Sequence, residues 1–301
     1  MRPLYITGPT GSGKSTIAAT LAHRIDGEVV NADACQLYRN LEIVTAAPTK
    51  EQRHIAPHHL YGVLDVEEDC NAASYAELAK PVIDDVIQRG QRPIVVGGSG
   101  LYMKSLTHGL DDLPAGDPEL RKELAALPLE QLVIRLRQLD LDSASKLDLN
   151  NRRYVTRAVE ISILAGRPMS EIKTGWKKSP PDFDGVFISR ERDQLYSRIN
   201  RRVGQMLDEG LTEEIKKLPK TLSATAARAI GIREIQEHLA GEYSLEHCMD
   251  AIRQASRRYA KRQLTWFKKE LGFQMVCLRQ AEDTDSAVMQ ILSLFPQPGH
   301  A

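Results

Sequence analysis

Five short apolar runs punctuate the chain: Leu4-Tyr5-Ile6, Glu28-Val29-Val30-Asn31, Pro93-Ile94-Val95-Val96, Gly185-Val186-Phe187-Ile188-Ser189 and Gln274 to Leu278. Continuous runs of this length are what strands show when both faces of a parallel sheet are covered. The third run continues through Gly97-Gly98-Ser99-Gly100-Leu101-Tyr102, so the strand it predicts ends in a glycine-rich turn. Helical periodicities lie between the runs. Tyr75, Leu78, Ala79, Val82, Ile83 and Val86 trace one apolar face, with Ser74 as the expected N-cap and Gly90 as the stop.

From Asp111 to about Trp176 the strand pattern vanishes, and helices are predicted over Pro118–Leu127, Pro128–Leu139 and Arg153–Leu164, the last closed by Gly166 and Pro168. Lys177 to Asp184 reads as a polar, proline-containing linker back to the sheet. Further helices are expected from Leu195 to Val203, around Ala229 to Glu234, and over a long stretch from Ser244 to Glu270; Thr45–Thr49 and Pro57–Leu60 read as loops, and the tail frays from Gln297. The pattern predicts an α/β core, residues 1–112 and 178–301, with an all-helical insertion at 113–177.

Composition removes several classes without choosing a function. The 301 residues suffice for a large core, and 42% apolar with 27% charged residues is ordinary for a globular chain. No run approaches the roughly 18 apolar residues of a membrane span, and Met1-Arg2-Pro3 leads straight into the first strand without a signal peptide, so a cytoplasmic protein with no membrane partner is expected. Cys35, Cys70, Cys248 and Cys277 are scattered, with neither a disulfide framework nor zinc spacing. Although the formal net charge is zero, Arg253, Arg257, Arg258, Lys261, Arg262, Lys268 and Lys269 follow one another with no Asp or Glu among them. A helix carrying cations of one sign suits a phosphate backbone.

The chemistry is concentrated after the first strand. Gly8-Pro9-Thr10-Gly11-Ser12-Gly13-Lys14-Ser15 fits the phosphate-loop motif at every fixed position and stands between a strand and a helix. Glycines let backbone N–H groups curl around phosphate oxygens, Lys14 supplies a point charge, and Ser15 is placed to reach Mg²⁺. The motif does not distinguish a phosphate that is transferred from a diphosphate that departs. Asp33 follows the second strand, where ligands of open α/β sheets sit; chemistry beside the phosphates and N-capping of a short helix are both open to it. The third strand lacks the closing Asp with which many phosphoryl-transfer enzymes hold Mg²⁺, and its Gly-Gly-Ser-Gly end offers backbone amides for a diphosphate instead. His58 and His59 have no partners at metal-ligand spacing.

Read together, these motifs resemble one family, the bacterial tRNA dimethylallyltransferases or tRNA isopentenyltransferases. The resemblance runs through Gly8–Ser15, Asn31-Ala32-Asp33 with Gln36 and Tyr38, Thr45–Thr49, Pro57–Leu60, Gly97–Tyr102, Arg157–Glu160, Leu195–Val203, Ala229–Gly231 and Lys261–Phe267. It implies a P-loop NTPase-like parallel sheet with a helical insertion that clasps an anticodon stem-loop. It also implies transfer of a dimethylallyl group from dimethylallyl diphosphate to N6 of adenosine-37 of tRNA, with Mg²⁺ as cofactor and no obligate protein partner for a monomeric enzyme. Asp33 would be the general base, with Ser99, where the family usually has Thr, and Lys14 at the reacting centre. Gly8, Pro9, Thr10, Gly11, Ser12, Gly13, Lys14, Ser15 and Arg228 would hold the diphosphate, and Ser15 the metal. Asp33, Ala34, Cys35, Gln36, Ser99, Arg153, Arg157, Arg228, Ala229, Ile230, Gly231, Ile232 and Arg233 would meet the tRNA.

The chain departs from the family pattern at Ala47, Val44, Cys35 and Tyr154, which bears on affinity more than on reaction type. The rivals are a prenyltransferase acting on free adenine nucleotide, a P-loop kinase or ATPase, and a non-catalytic RNA-binding protein. The insertion and basic run disfavour the first, the glycine end of the third strand the second, and the convergence of Lys14, Ser15 and Asp33 the third.

Overall fold

The computed structural model describes residues 1–172, 183–270, 272–278 and 284–296. Most of the expected linker and all of the expected frayed tail lie outside them. The chain forms two compact units, Met1–Thr107 with Pro181–Ala301, and His108–Pro180.

In the first unit the elements run β1 (Leu4–Thr7), α1 (Lys14–Ile25), β2 (Glu28–Asn31), α2 (Lys50–Ile55), β3 (His58–His59), α3 (Ala72–Gln88), β4 (Pro93–Gly97) and α4 (Gly100–Thr107). The second unit contains α5 (Pro118–Ala126), α6 (Leu129–Leu139), α7 (Leu141–Lys146), α8 (Arg152–Ala165) and α9 (Met169–Ile172). The first unit resumes with β5 (Asp184–Arg190), α10 (Arg192–Asp208), α11 (Leu211–Lys216), α12 (Ile232–Leu239), α13 (Leu245–Phe267), β6 (Gln274–Leu278) and α14 (Thr284–Leu294). No described helix is long and apolar enough to cross a membrane.

Six parallel strands lie in the order β3-β2-β4-β1-β5-β6. Every residue of β1, β2 and β4 is buried, as continuous apolar runs require when helices cover both faces. Tyr5, Val30, Val95 and Phe187 enter the core on one face; Leu4, Ile6, Val29, Ile94, Val96, Val186 and Ile188 enter that on the other. Because all strands run one way, the loops after β1, β2 and β4 gather at one edge.

Three local expectations are corrected. The third strand stops at Gly97, and Gly100-Leu101-Tyr102 opens α4 instead of prolonging it. The N-cap of α3 is Asn71, whose Oδ1 accepts from the backbone of Ala73 at 2.8 Å and Ser74 at 3.1 Å, so Ser74 lies inside the helix. His58 and His59 are a two-residue edge strand: His59 Nε2 bonds Glu28 Oε2 at 2.5 Å, and His58 Nδ1 bonds the Ala56 carbonyl at 2.7 Å. Between the two expected loops, where nothing was expected, stands α2, opened by a capping box in which Thr49 and Gln52 satisfy each other's backbone N–H groups.

The helical unit has its own core, with Leu124, Leu132 and Leu136 against Val155, Val159 and Ile161 of α8. Glu160 is buried on that helix and is held by Arg121 at 2.7 Å and Arg157 at 2.6 Å.

Candidate active site

The phosphate loop turns twice through a backbone region that suits glycine alone: Gly11 has φ 82° and Gly13 φ 94°. Lys14 then opens α1, whose first turn has no side-chain cap and no acidic residue. Its free amides leave a positive pole facing the loop's concave side.

Three arginines brace the loop. Arg190 donates to Ser12 O at 2.8 Å, Arg198 to Gly11 O at 2.8 Å, and Arg202 Nη2 to Thr10 Oγ1 at 2.8 Å. Holding the carbonyl oxygens of Gly11 and Ser12 leaves neighbouring amides to face a ligand. Arg202 is the most exposed to electrostatic demand: burial lowers its pKa, Asp33 counters this, Arg198 reinforces it, and its Nε is buried without a partner. Burial likewise pulls the Lys14 ammonium down; the charge of Asp33 opposes the shift and Arg202 adds to it. The site thus holds concentrated positive charge that a polyanion would relieve.

An open cleft of about 700 Å³ runs along this loop. Its lining includes Thr10, Gly11, Gly13, Lys14 and Ser15 on one side, Arg198 and Arg202 of α10, and Asp33 and Gln36 from the end of β2. The segment from Glu42 to Thr49 closes the remaining wall. That segment is held from behind. Glu214 of α11 accepts from the backbones of Ile43 and Val44, both at 2.8 Å, and Gln36 Nε2 donates to the Thr45 and Ala46 carbonyls at 3.0 and 3.2 Å. Ala47 borders the cleft without any charge to offer it.

Asp33 stands at the entrance to the turn that follows β2 and lines the cleft. Its backbone N–H donates to Asn31 Oδ1 at 2.8 Å, and its Oδ1 accepts from the Cys35 N–H at 3.2 Å, just before the single turn Cys35–Leu37, whose N-cap is Ala34. It lines the cleft together with Lys14, and its charge favours the Lys14 ammonium. Ser99 Oγ accepts from the Ala34 N–H at 3.0 Å, joining the ends of β2 and β4, and is not part of the cleft lining. Burial, then the charge of Asp33, pushes the phenol of Tyr259 on α13 well up. The Cys35 thiol is pushed up to about 12, first by burial and then by Asp33, which keeps it protonated at neutral pH.

The glycine-rich end of β4 is demanded by packing. A Cβ on Gly97 would stand 2.1 Å from Ala32 O, one on Gly98 2.1 Å from Gln263 Nε2, and one on Gly100 2.2 Å from Trp266 Nε1. None of Gly97 to Gly100 lines the cleft.

The other expected contacts are dispersed. Arg228 is exposed and does not line the cleft; the arginines that meet the phosphate loop are Arg190, Arg198 and Arg202. Ala229, Gly231 and Ile232 are buried, Ile230 is half-buried, and Arg233 is exposed and paired with Glu234 at 3.0 Å. In the helical unit Arg153 is exposed, whereas Arg157 is engaged with Glu160 and with Pro114 O at 2.8 Å. Arg198, Arg202, Glu214, Tyr259 and Gln263 were not singled out from sequence. The two arginines carried a signal: each directly precedes an apolar position of α10, Ile199 and Val203, and so stands at the border of the buried face.

A phosphate loop after β1, a carboxylate after β2 and a six-stranded parallel sheet define an α/β enzyme of the P-loop class. The IPP transferase family model matches residues 36–270. The chain belongs to that family. It is 43% identical over 267 residues to a tRNA dimethylallyltransferase of Akkermansia muciniphila, covering 89% of this chain and 90% of the relative. It is 43% identical over 278 residues to tRNA dimethylallyltransferase 1 of Citrifermentans bemidjiense, covering 90% of each. Among solved structures, the full-length tRNA isopentenylpyrophosphate transferase of Bacillus halodurans superposes with TM-score 0.71 at 36% identity, covering 97% of this chain and 94% of that one. A eukaryotic dimethylallyltransferase acting on tRNA gives TM-score 0.82 at 28% identity, over 96% and 76% of the two chains.

Proposed function

We propose that the protein transfers a dimethylallyl group from dimethylallyl diphosphate to N6 of adenosine-37, 3′ of the anticodon in tRNA, releasing diphosphate. One observation carries the reading: Asp33 and Lys14 border the same cleft and interact electrostatically within it. Adenine N6 is a weak nucleophile and a far weaker acid, so its proton must leave as the C–N bond forms. Asp33 accepts that proton. The allylic C–O bond breaks, its electron pair departs on the diphosphate, and Lys14, Arg202 and the loop amides stabilise the growing charge.

The family resemblance also implies Mg²⁺. Ser15 offers a hydroxyl oxygen at the cleft, and among the described residues no three His, Cys, Asp or Glu side chains gather into a protein-only site. That donor set fits a hard cation which takes phosphate oxygens and water as its other ligands. Bound through Ser15, the ion would neutralise charge on the leaving diphosphate. The one-sign run from Arg253 to Lys269, on α13 and just beyond its end, supports an RNA acceptor over a free nucleotide.

The test is transfer of radiolabelled dimethylallyl, without ATP, to an unmodified anticodon stem-loop RNA and in parallel to AMP. Label in the RNA alone supports the reading. Label in AMP alone moves the activity to free nucleotides, and no label in either, with ATP hydrolysed in a separate incubation, overturns it. Asp33→Ala should abolish transfer while pyrophosphate binding persists.

A further inference from the structure

The carboxyl ends of β1 and β2 carry the phosphate loop and Asp33, and that of β4 carries Ser99, which lies outside the cleft lining and ties β4 to β2. Adjacent strands fix the positions of these ends only up to the last ladder hydrogen bond. Beyond that point, three loops need their own ties. One tie has been described, Ser99 Oγ accepting from the Ala34 N–H between β4 and β2. The tie between β4 and β1 comes from a distant helix.

Gln263 of α13 is buried, with 4% of its surface exposed, in the middle of the basic run. Its Oε1 accepts from the Thr10 N–H of the phosphate loop at 2.8 Å, and its Nε2 donates to Gly98 O at 2.9 Å. The carboxamide therefore bridges the phosphate loop and the residue that immediately precedes Ser99. Gly98 leaves the space in which it sits, since a Cβ there would overlap Nε2. Only a group with one acceptor and one donor at this separation satisfies both ends. An apolar residue in its place would leave two buried backbone groups unpaired.

The same face of α13 carries Tyr259 and Trp266, the latter seated against Gly100. Arg258, Lys261 and Arg262 of that helix are exposed, with Arg262 lying over the Tyr259 ring at 5.6 Å. We propose that Gln263 is a positioning residue, setting the phosphate loop against the Ser99 turn so that the diphosphate and the acceptor base meet in register. The inference rests on the prenyl transfer proposed above.

The experiment compares wild type with Gln263→Leu and Gln263→Glu in four readouts: thermal unfolding, calorimetric binding of inorganic pyrophosphate, and kcat and KM for dimethylallyl diphosphate with saturating stem-loop RNA. Gln263→Leu should weaken pyrophosphate binding about tenfold and lower kcat as well, in protein that still unfolds cooperatively. Gln263→Glu keeps the acceptor for Thr10 but sets a carboxylate against Gly98 O. It should recover most of the pyrophosphate affinity and little of kcat, a split that a merely structural role would not produce. If both variants lose only thermal stability, with kinetic constants per folded molecule unchanged, the positioning role is overturned. Wild type that binds pyrophosphate but transfers nothing would refute the transfer reading instead, leaving the pyrophosphate arm to decide the role of Gln263 at the phosphate loop.

Discussion

Gly97→Ala is the sharpest test of how the sheet positions the site. The added Cβ would lie 2.1 Å from the carbonyl oxygen of Ala32 and 2.2 Å from its carbonyl carbon, both backbone atoms that no side-chain rotation can move. Non-bonded carbons rest about 3.5–4.0 Å apart, so the ends of β2 and β4 must separate by roughly 1 Å. The Ala32 N–H to Val96 O hydrogen bond, 2.8 Å long, spans the same gap and would be lost or stretched. Overpacking at about 2 kcal/mol and one backbone hydrogen bond at about 1 kcal/mol sum to about 3 kcal/mol of destabilisation. Asp33 follows Ala32 directly and would be carried with it. A displacement near 1 Å at a reacting group costs on the order of 100-fold in rate.

The assay pairs urea unfolding with initial rates of prenyl transfer at saturating donor and RNA, corrected for the folded fraction. Gly204→Ala supplies the control. Gly204 lies inside α10 with nothing within 4 Å of its Cβ position, and the substitution should stabilise by about 0.5–1 kcal/mol without changing the rate. If Gly97→Ala unfolds at the wild-type urea concentration and keeps its rate within twofold, the contact between β2 and β4 is not what demands glycine, and the argument fails.

Further substitutions probe the charges. Arg202→Met should weaken pyrophosphate binding about 100-fold in calorimetry yet leave the unfolding midpoint in place, because a buried charge with an unpartnered Nε goes with the contact. Glu28 is held below the ordinary carboxylate range, first by its hydrogen bond with Arg89 and also by His59. Its contribution to stability is therefore fully present above about pH 4.5 and is lost as the pH falls through the lower, folded-state value. Glu28→Gln should unfold several degrees below wild type at pH 7, and the gap should close on acidification below pH 4; a constant gap would refute the linkage. With its thiol pushed up to about 12, Cys35 should resist alkylation at pH 8 while exposed Cys277 reacts, as peptide mass spectrometry would read directly.

Much of the architecture was legible because burial on both faces writes itself as continuous apolar runs, and each of the five runs is a strand. Gly8–Ser15 was equally legible, since positive φ at Gly11 and Gly13 leaves few alternatives to glycine. The sheet edge at His58–His59 was not, because two half-buried polar residues carry no period. The helix Lys50–Ile55 could have been found from the Thr49–Gln52 capping box alone.

What sequence by itself determined is local: where backbone can bend, which residues must be buried, and that a phosphate loop and a carboxylate each follow a strand. Which side chains meet across the chain was decided by tertiary structure. Arg202 reaches Thr10 over 192 residues, Glu214 reaches Ile43 over 171, and Gln263 reaches Thr10 over 253. No periodicity records such pairings, because each depends on how helices after β5 pack over loops that precede β5. The glycines of β4 show the same division: their presence was plain in the sequence, but the backbone of Ala32 and the side chains of Gln263 and Trp266 that require them came from elsewhere in the fold.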